Sequence, residues 1–231
     1  MSIYEGLIPN IDKRLETWSK LQREANKKDL TKKKFSVTIA REFGCEGFPL
    51  AEEIKNKLEK ETDEEWTVFD KSLIERVSKD KNLSENFLER LGDDSQIMEI
   101  LSIFKSRQKT QTEAFGILSE YIIKLAKDGN AILVGRGSNI LTSNLDNCFH
   151  FRLVAPFEYR VESIARRLEL SYDDAKKMVG EEQERRDRFI ENHLSCNIND
   201  PLHYHALFNN ERSSLEQIAD SIYSLMADRL V

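Results

Sequence analysis

The chain has 231 residues, of which 39% are hydrophobic and 33% charged, with a net charge of −6; this suits one α/β domain with small insertions and a sizeable core. The acidic balance argues against nucleic acid as a general partner, although local basic clusters remain available for phosphates. No segment approaches the roughly 20 apolar residues needed to cross a membrane and the N-terminus has no apolar signal core, so no membrane partner and a cytoplasmic location are expected.

Residues 1–34 read as an exposed leader. Ile11, Leu15, Trp18 and Leu21 make an apolar stripe that predicts a helix, and the charged run 27–34 reads as a solvated linker. The alternative for this run is packing on a second subunit; the leader helix makes a homodimer one option, and the oligomeric state stays open. The first strand is the apolar, β-branched run Phe35 to Ala40, which ends in a glycine-bearing turn. Leu50, Ala51, Ile54 and Leu58 then recur at helical spacing. Strand, glycine loop and helix together form the frame of a phosphate-binding loop, whose N–H groups and helix N-terminus favour an anion. The full motif, G-x-x-x-x-G-K-[ST], is broken here. Gly47 falls where the lysine belongs, Phe48 follows it, and Pro49 falls near the expected hydroxyl. Two readings stay open: a phosphate loop, or an ordinary βα turn that uses glycine for its backbone freedom. Cys45, Cys148 and Cys196 are far apart, fit a reducing compartment and give no metal spacing. Cys45 lies beside a helix N-terminus, a position that lowers a thiol pKa, or it is simply a small loop residue.

Trp66 to Phe69 gives the second strand, ending in Asp70, either a ligand group at a strand's C-terminal end or the N-cap of a helix 71–78. Residues 71–129 read as a helical lobe, interrupted by basic Lys105, Arg107 and Lys109 and closed by Gly129-Asn130. Ala131 to Val134 is an uninterrupted apolar run, as in a buried parallel strand. Gly135-Arg136-Gly137 follows, where Arg136 is either a bidentate phosphate ligand or a surface side chain in a turn. Phe149 to Val154 is the fourth strand. A helix from Glu158 to Leu170 carries Arg160, Arg166 and Arg167, and a second runs from an Asp173 N-cap towards Leu194. Its mixed run 181–188 reads as a salt-bridged solvated face or as a phosphate-clamping lid with Arg185, Arg186, Asp187 and Arg188. Leu202 to Phe208 is the expected fifth strand and Leu215 to Leu230 the closing helix. His193, His203 and His205 carry a weak metal-site reading, since no Cys or carboxylate pattern accompanies them.

Five segments in order resemble the cytidylate kinase-like family of the nucleoside monophosphate kinase group, over about residues 35–230. They are Val37 to Gly44, Phe69 to Ile74, Ile132 to Gly137, Phe151 to Pro156 with Arg160 and Arg166-Arg167, and Asp187-Arg188 with Asp200 to Tyr204. The resemblance implies a three-layer α/β/α P-loop kinase fold: a five-stranded parallel sheet, first strand central, with a helical insertion and a lid. It divides the chain into the leader 1–34 and a kinase-like domain 35–231, with an acceptor lobe at 71–129 and the lid at 171–200. It implies transfer of the ATP γ-phosphoryl group to a nucleoside monophosphate with Mg²⁺, the nucleotide substrates being the partners. Carried over by position, Arg41, Phe43, Gly44, Cys45, Glu46 and Gly47 would surround the donor phosphates. Asp70, Arg136 and Arg166 would face the acceptor, while Arg160, Arg166, Arg185, Arg186 and Arg188 would be lid and phosphate contacts, with Asp187 orienting one of the arginines.

Two departures bear on activity. The family usually reads Gly-Ser-Gly-Gly-Arg in the loop; here Glu46 replaces a glycine and Phe48 replaces the arginine, and Gly137 replaces the usual aspartate after Gly-Arg. A carboxylate pointing into the loop would repel phosphates by roughly 4 kcal/mol at about 4 Å and an effective dielectric of 20. Pointing to solvent it is nearly harmless, and a third option is that it helps hold Mg²⁺. Arg41 or a lid arginine is the candidate for the missing cation. A kinase and a catalytically inactive nucleotide sensor on the same fold are therefore both carried forward.

Overall fold

The structure, a computed structural model, describes residues 15–16, 34–70, 72–73 and 111–230. Expectations for most of the leader and for the helical lobe between 74 and 110 lie outside the described residues.

Strand β1 (Ser36–Arg41) leads through a glycine loop into helix α1 (Gly47–Thr62), followed by β2 (Thr67–Phe69). Helix α2 (Gln111–Asp128), β3 (Ala131–Val134), the short α3 (Ser138–Leu141) and β4 (Cys148–Val154) come next. Helices α4 (Phe157–Leu168) and α5 (Tyr172–Leu194) precede β5 (Ala206–Asn209) and α6 (Leu215–Leu230). The sheet order is β2-β3-β1-β4-β5 with every pairing parallel, so β1 is central as expected. This is a three-layer α/β/α arrangement of the P-loop kinase type.

Strand periodicity builds the layers. On β4, Phe149, Phe151 and Leu153 join the α1 and α6 core, which includes Leu50, Ile54, Leu58, Ile222 and Met226. Cys148 faces the other side with Leu133, Tyr121, Ile122, Leu125, Ile190 and Leu194. Leu15 of the leader packs against this second core. Helix α1 buries the predicted stripe and ends at Asp63, whose left-handed φ of 55° lets its N–H reach the Glu59 carbonyl. Among the described residues no helix is long and apolar enough to cross a membrane.

Most boundaries fall within one residue of expectation and three shift by two or more. The fifth strand starts at Ala206 rather than Leu202, because Asp200 accepts from Leu202 N–H at 2.9 Å and Pro201 opens a 3-10 turn. Leu202 is 89% exposed there. The cap of α5 is Ser171, whose hydroxyl accepts from Asp174 N–H at 3.2 Å, and Asp173 already lies in the first turn. Helix α4 stops at Leu168, with Glu169 turning left-handed at φ 54°.

Candidate functional site

A cleft of about 290 Å³ opens at the C-terminal ends of β1, β2 and β3, where open α/β sheets bind ligands. Six arginines line it, Arg41, Arg136, Arg152, Arg167, Arg185 and Arg186, against three carboxylates, Asp70, Glu182 and Asp187. A cationic cleft in a chain of net charge −6 selects an anion.

The glycine loop supplies one wall. Gly44 has φ +100°, and a Cβ there would sit 2.8 Å from the Arg160 carbonyl oxygen, so only glycine fits. Several loop N–H groups already have partners. Phe43 N–H donates to Gln183 Oε1 at 2.8 Å, Cys45 N–H to the Glu42 carbonyl at 3.3 Å, and Glu46 N–H to Asn210 Oδ1 at 2.7 Å. Pro49 brings no N–H to the first turn of α1. The loop therefore offers a ligand fewer backbone donors than its outline suggests.

Arg41 crosses the space this leaves. A Cβ at Gly47 would lie 3.1 Å from Arg41 Cγ and Cδ, and a Cβ at Gly135 would overlap the Arg41 guanidinium. The arginine thus starts at the end of β1, passes over the position of the absent lysine and reaches the turn after β3. Glu46 does not line the cleft. Its carboxylate meets the Tyr159 hydroxyl at 3.5 Å on α4 and acts on the cleft-lining Arg167. Cys45 is buried, and burial together with Glu42 pushes its thiol up to about 12; the helix N-terminus does not activate it.

Arg160 is a brace and does not reach the cleft. Buried, it donates to the carbonyls of Ala155 at 3.1 Å and Phe43 at 3.3 Å, and pairs with Glu42 at 3.6 Å. The expected phosphate contact is corrected accordingly: Arg160 lies outside the cleft, and its Nε and Nη1 hold the loop to α4.

The turn after β3 keeps three successive residues left-handed, Gly135 (φ +80°), Arg136 (φ +58°) and Gly137 (φ +67°). Gly135 makes room for Arg41, and a Cβ at Gly137 would overlap Leu194 of α5. Arg136 accepts a conformation that costs a side chain about 1–2 kcal/mol, and its guanidinium lies 5.0 Å from the Phe189 ring in the cleft. Asp70 is 2% exposed, lines the cleft and accepts from Leu73 N–H at 3.2 Å, so one carboxylate serves as both wall and cap.

Helix α5 forms the facing wall. Asp187 accepts from Gln183 Nε2 at 2.9 Å, and Gln183 in turn holds Phe43 N–H. Asp187 thus orients a glutamine that fixes the loop, where an arginine was expected. Arg186 stacks over the Phe43 ring at 4.8 Å, and Arg185 pairs with Glu182 at the rim. Arg188 points outward, 63% exposed and paired with Glu184 at 3.4 Å, because residue 188 falls on the opposite face of α5. Arg166 is also outside the cleft; its neighbour Arg167 lines it, and burial lowers its pKa.

Sequence reasoning assigned no site role to Gln183, Arg167, Arg152 or Asn139, all of which line the cleft. Only Arg152 carried a visible signal, a cation near the end of a strand whose other residues are almost all apolar. His150 and His205 pack together at 5.5 Å between ring centroids, and among the described residues no group of three His, Cys, Asp or Glu side chains converges.

No curated protein matches the chain at a significant level. A solved structure of an uncharacterized protein from Eubacterium ventriosum is similar in fold, with a TM-score of 0.66 at 16% identity. That match covers 85% of this chain and 99% of the other. The sequence profile of the cytidylate kinase-like family matches residues 36–212. With the glycine loop, the Gly-Arg-Gly turn and the arginine-lined cleft all inside that span, the chain belongs to the cytidylate kinase-like family.

Proposed function

We propose that the chain transfers the γ-phosphoryl group of ATP to a nucleoside monophosphate, with Arg41 supplying the cation that the loop lacks. The observation that carries this reading is the path of Arg41 over Gly47 to Gly135. Phosphoryl transfer is mainly positioning and charge neutralisation, so an arginine anchored on β1 replaces a lysine anchored on α1 without new chemistry. The loop and Arg41 hold the donor phosphates, while Arg136 and Asp70 face the acceptor. Arg185 and Arg186 add charge from α5, and Gln183 and Asp187 keep the loop in register with it.

Mg²⁺ offsets charge on the transferring phosphoryl group when bound. The cleft carboxylates Asp70, Glu182 and Asp187 do not form a three-ligand cage among the described residues. That suits an ion held by phosphates with one or two protein carboxylates. Free Cys45, Cys148 and Cys196 agree with a cytoplasmic location.

A second reading has its own support. The engaged N–H groups of Phe43, Cys45 and Glu46 favour a catalytically inactive nucleotide-binding protein. Transfer from γ-labelled Mg·ATP across a panel of nucleoside monophosphates, with a no-acceptor control, separates the two. The kinase reading expects transfer to one acceptor and at least a 100-fold loss in Arg136→Met. Absence of transfer by folded protein that still binds ATP would establish the inactive reading instead.

A further inference from the structure

Arg152 is a cleft arginine set within strand β4 of the sheet. It pairs with Ala40, one residue before the end of β1, and is 2% exposed. Phe151 and Leu153 on either side point into the α1 and α6 core, so Arg152 points to the opposite face, where it lines the cleft. Its Nη2 donates to Asn199 Oδ1 at 2.6 Å and its Nη1 to the Tyr204 hydroxyl at 3.4 Å. Both acceptors are neutral, and its Nε–H has no acceptor among the described residues.

Asn139 lines the same cleft from the start of α3 and is 1% exposed. Its Nδ2 has no partner at good hydrogen-bond geometry among the described residues, the Tyr204 hydroxyl being the nearby acceptor it can reach. Both side chains act on the Tyr204 hydroxyl, so their polar heads share one neighbourhood. Arg152 also acts electrostatically on Cys45, which brings this neighbourhood within reach of the glycine loop. Among the described residues the buried guanidinium hydrogen-bonds only to neutral oxygens and lies 5.8 Å from the Tyr204 ring, with no carboxylate paired to it, an arrangement that folding alone disfavours. An unpaired Nε–H on a cation, beside an amide with at least one N–H to spare, matches a group with two lone-pair oxygens and a negative charge.

We infer that Arg152 and Asn139 form an oxyanion subsite on the cleft floor and that its ligand is a phosphoryl group of the substrate pair. The identity of that ligand rests on the phosphotransfer reading; the anion site itself does not. The Arg152 guanidinium and the Asn139 amide donate to two phosphoryl oxygens, and Tyr204 with Asn199 holds the guanidinium plane in place. The source is either the donor triphosphate or the acceptor monophosphate.

The test is calorimetric titration of the full chain at fixed ionic strength with inorganic pyrophosphate, MgADP and cytidine monophosphate, using cytidine as the uncharged control. Arg152→Gln keeps amide donors towards Asn199 and removes the charge. Asn139→Asp is nearly isosteric and neutralises the guanidinium from within. Pyrophosphate affinity is expected to fall at least tenfold in both variants, with ligand-free melting temperatures equal to or above that of the parent chain. A matching loss for MgADP assigns the subsite to the donor, and a matching loss for cytidine monophosphate assigns it to the acceptor. Pyrophosphate binding that depends on Arg152, without binding of either nucleotide, sustains the subsite and overturns the nucleotide reading. Parent-like pyrophosphate affinity in both variants, or no pyrophosphate binding by the parent chain, overturns the subsite. If Arg152→Gln fails to fold, Asn139→Asp alone decides, and unchanged affinity there reduces Arg152 to a brace for the 199–204 segment.

Discussion

Two glycines that touch Arg41 provide a direct test of its role. At Gly47 the backbone has no left-handed requirement, and an added Cβ meets only the flexible Arg41 stem at 3.1 Å. Gly47 also opens α1, where alanine is the better helix former by up to about 1 kcal/mol. Gly47→Ala should therefore leave the melting temperature unchanged or raise it by a few degrees, while pushing the guanidinium off its line. Gly135→Ala combines two penalties. Its φ of +80° costs an alanine about 1–2 kcal/mol, and its Cβ overlaps the guanidinium itself. For a chain of this size that lowers the melting temperature by roughly 2–8 °C. Both variants should lose phosphotransfer, Gly135→Ala by a factor of 100 or more, because a charged group moved by even 1 Å from its productive position weakens a barrier term worth several kcal/mol. Calorimetric melting and a coupled ADP-release assay read the two effects separately. Full activity in a stable Gly135→Ala protein would refute the assignment of Arg41 as the loop's cation.

Three further outcomes follow from the buried groups. His150 is held at about 4 by burial and by His205, with Thr38 Oγ1 2.8 Å from its Nδ1. The unfolded chain takes up this proton near pH 6.5 and the folded chain only near pH 4, so the full contribution is present above 6.5 and is lost as pH falls. The loss approaches about 3 kcal/mol by pH 4; urea midpoints measured at pH 7, 5.5 and 4.5 should fall in that order, and His150→Gln should flatten the slope. Arg160→Met removes the bonds to the Ala155 and Phe43 carbonyls and the pair with half-buried Glu42, which keeps Ala155 N–H, and should cost roughly 1–3 kcal/mol, read as a lower urea midpoint, whereas a phosphate-binding role would change KM and spare stability. Cys45, with its thiol at about 12, should resist iodoacetamide at pH 8 in the folded chain and react on denaturation, as mass spectrometry of the alkylated peptides would show.

The fold was legible wherever local pattern decides structure. The apolar run 131–134 became β3, and the amphipathic run 215–230 became α6 with both ends as expected. The start of β5 was misjudged because Leu202 looks like a strand residue, while Asp200 and Pro201 form a local turn that leaves it in solvent. The site was less legible, because arginines reach far and their neighbours come from distant sequence. Nothing around residue 41 announces that its guanidinium lies against Gly135, or that Arg160 donates to the carbonyls of Phe43 and Ala155. Within α5, spacing alone separates Arg185 and Arg186 at the cleft from Arg188 outside it, and that distinction needs the helix phase fixed by Ile190 and Leu194 in the core.

The broken loop and the Gly-Arg-Gly turn are best understood as one feature. A lysine at residue 47 would enter the loop from the helix, and it would need the volume that the Arg41 stem now fills. Moving the cation to the strand end requires hydrogen in place of Cβ at both Gly47 and Gly135, which lie on different elements. It also fixes the charge on β1, the central strand, rather than on a loop whose N–H groups are tied to Gln183 and Asn210. Those ties make the loop rigid and reduce what its backbone offers an anion, so the burden of charge passes to side chains. The distribution of arginines then follows: Arg41 from the strand end, Arg136 from the strained turn, Arg152 from the sheet and Arg186 from α5 approach one cleft from four directions. A remnant of such a fold that bound no anion would have no reason to keep a guanidinium buried against neutral oxygens or an arginine in a left-handed turn, since relaxing either one would stabilise it.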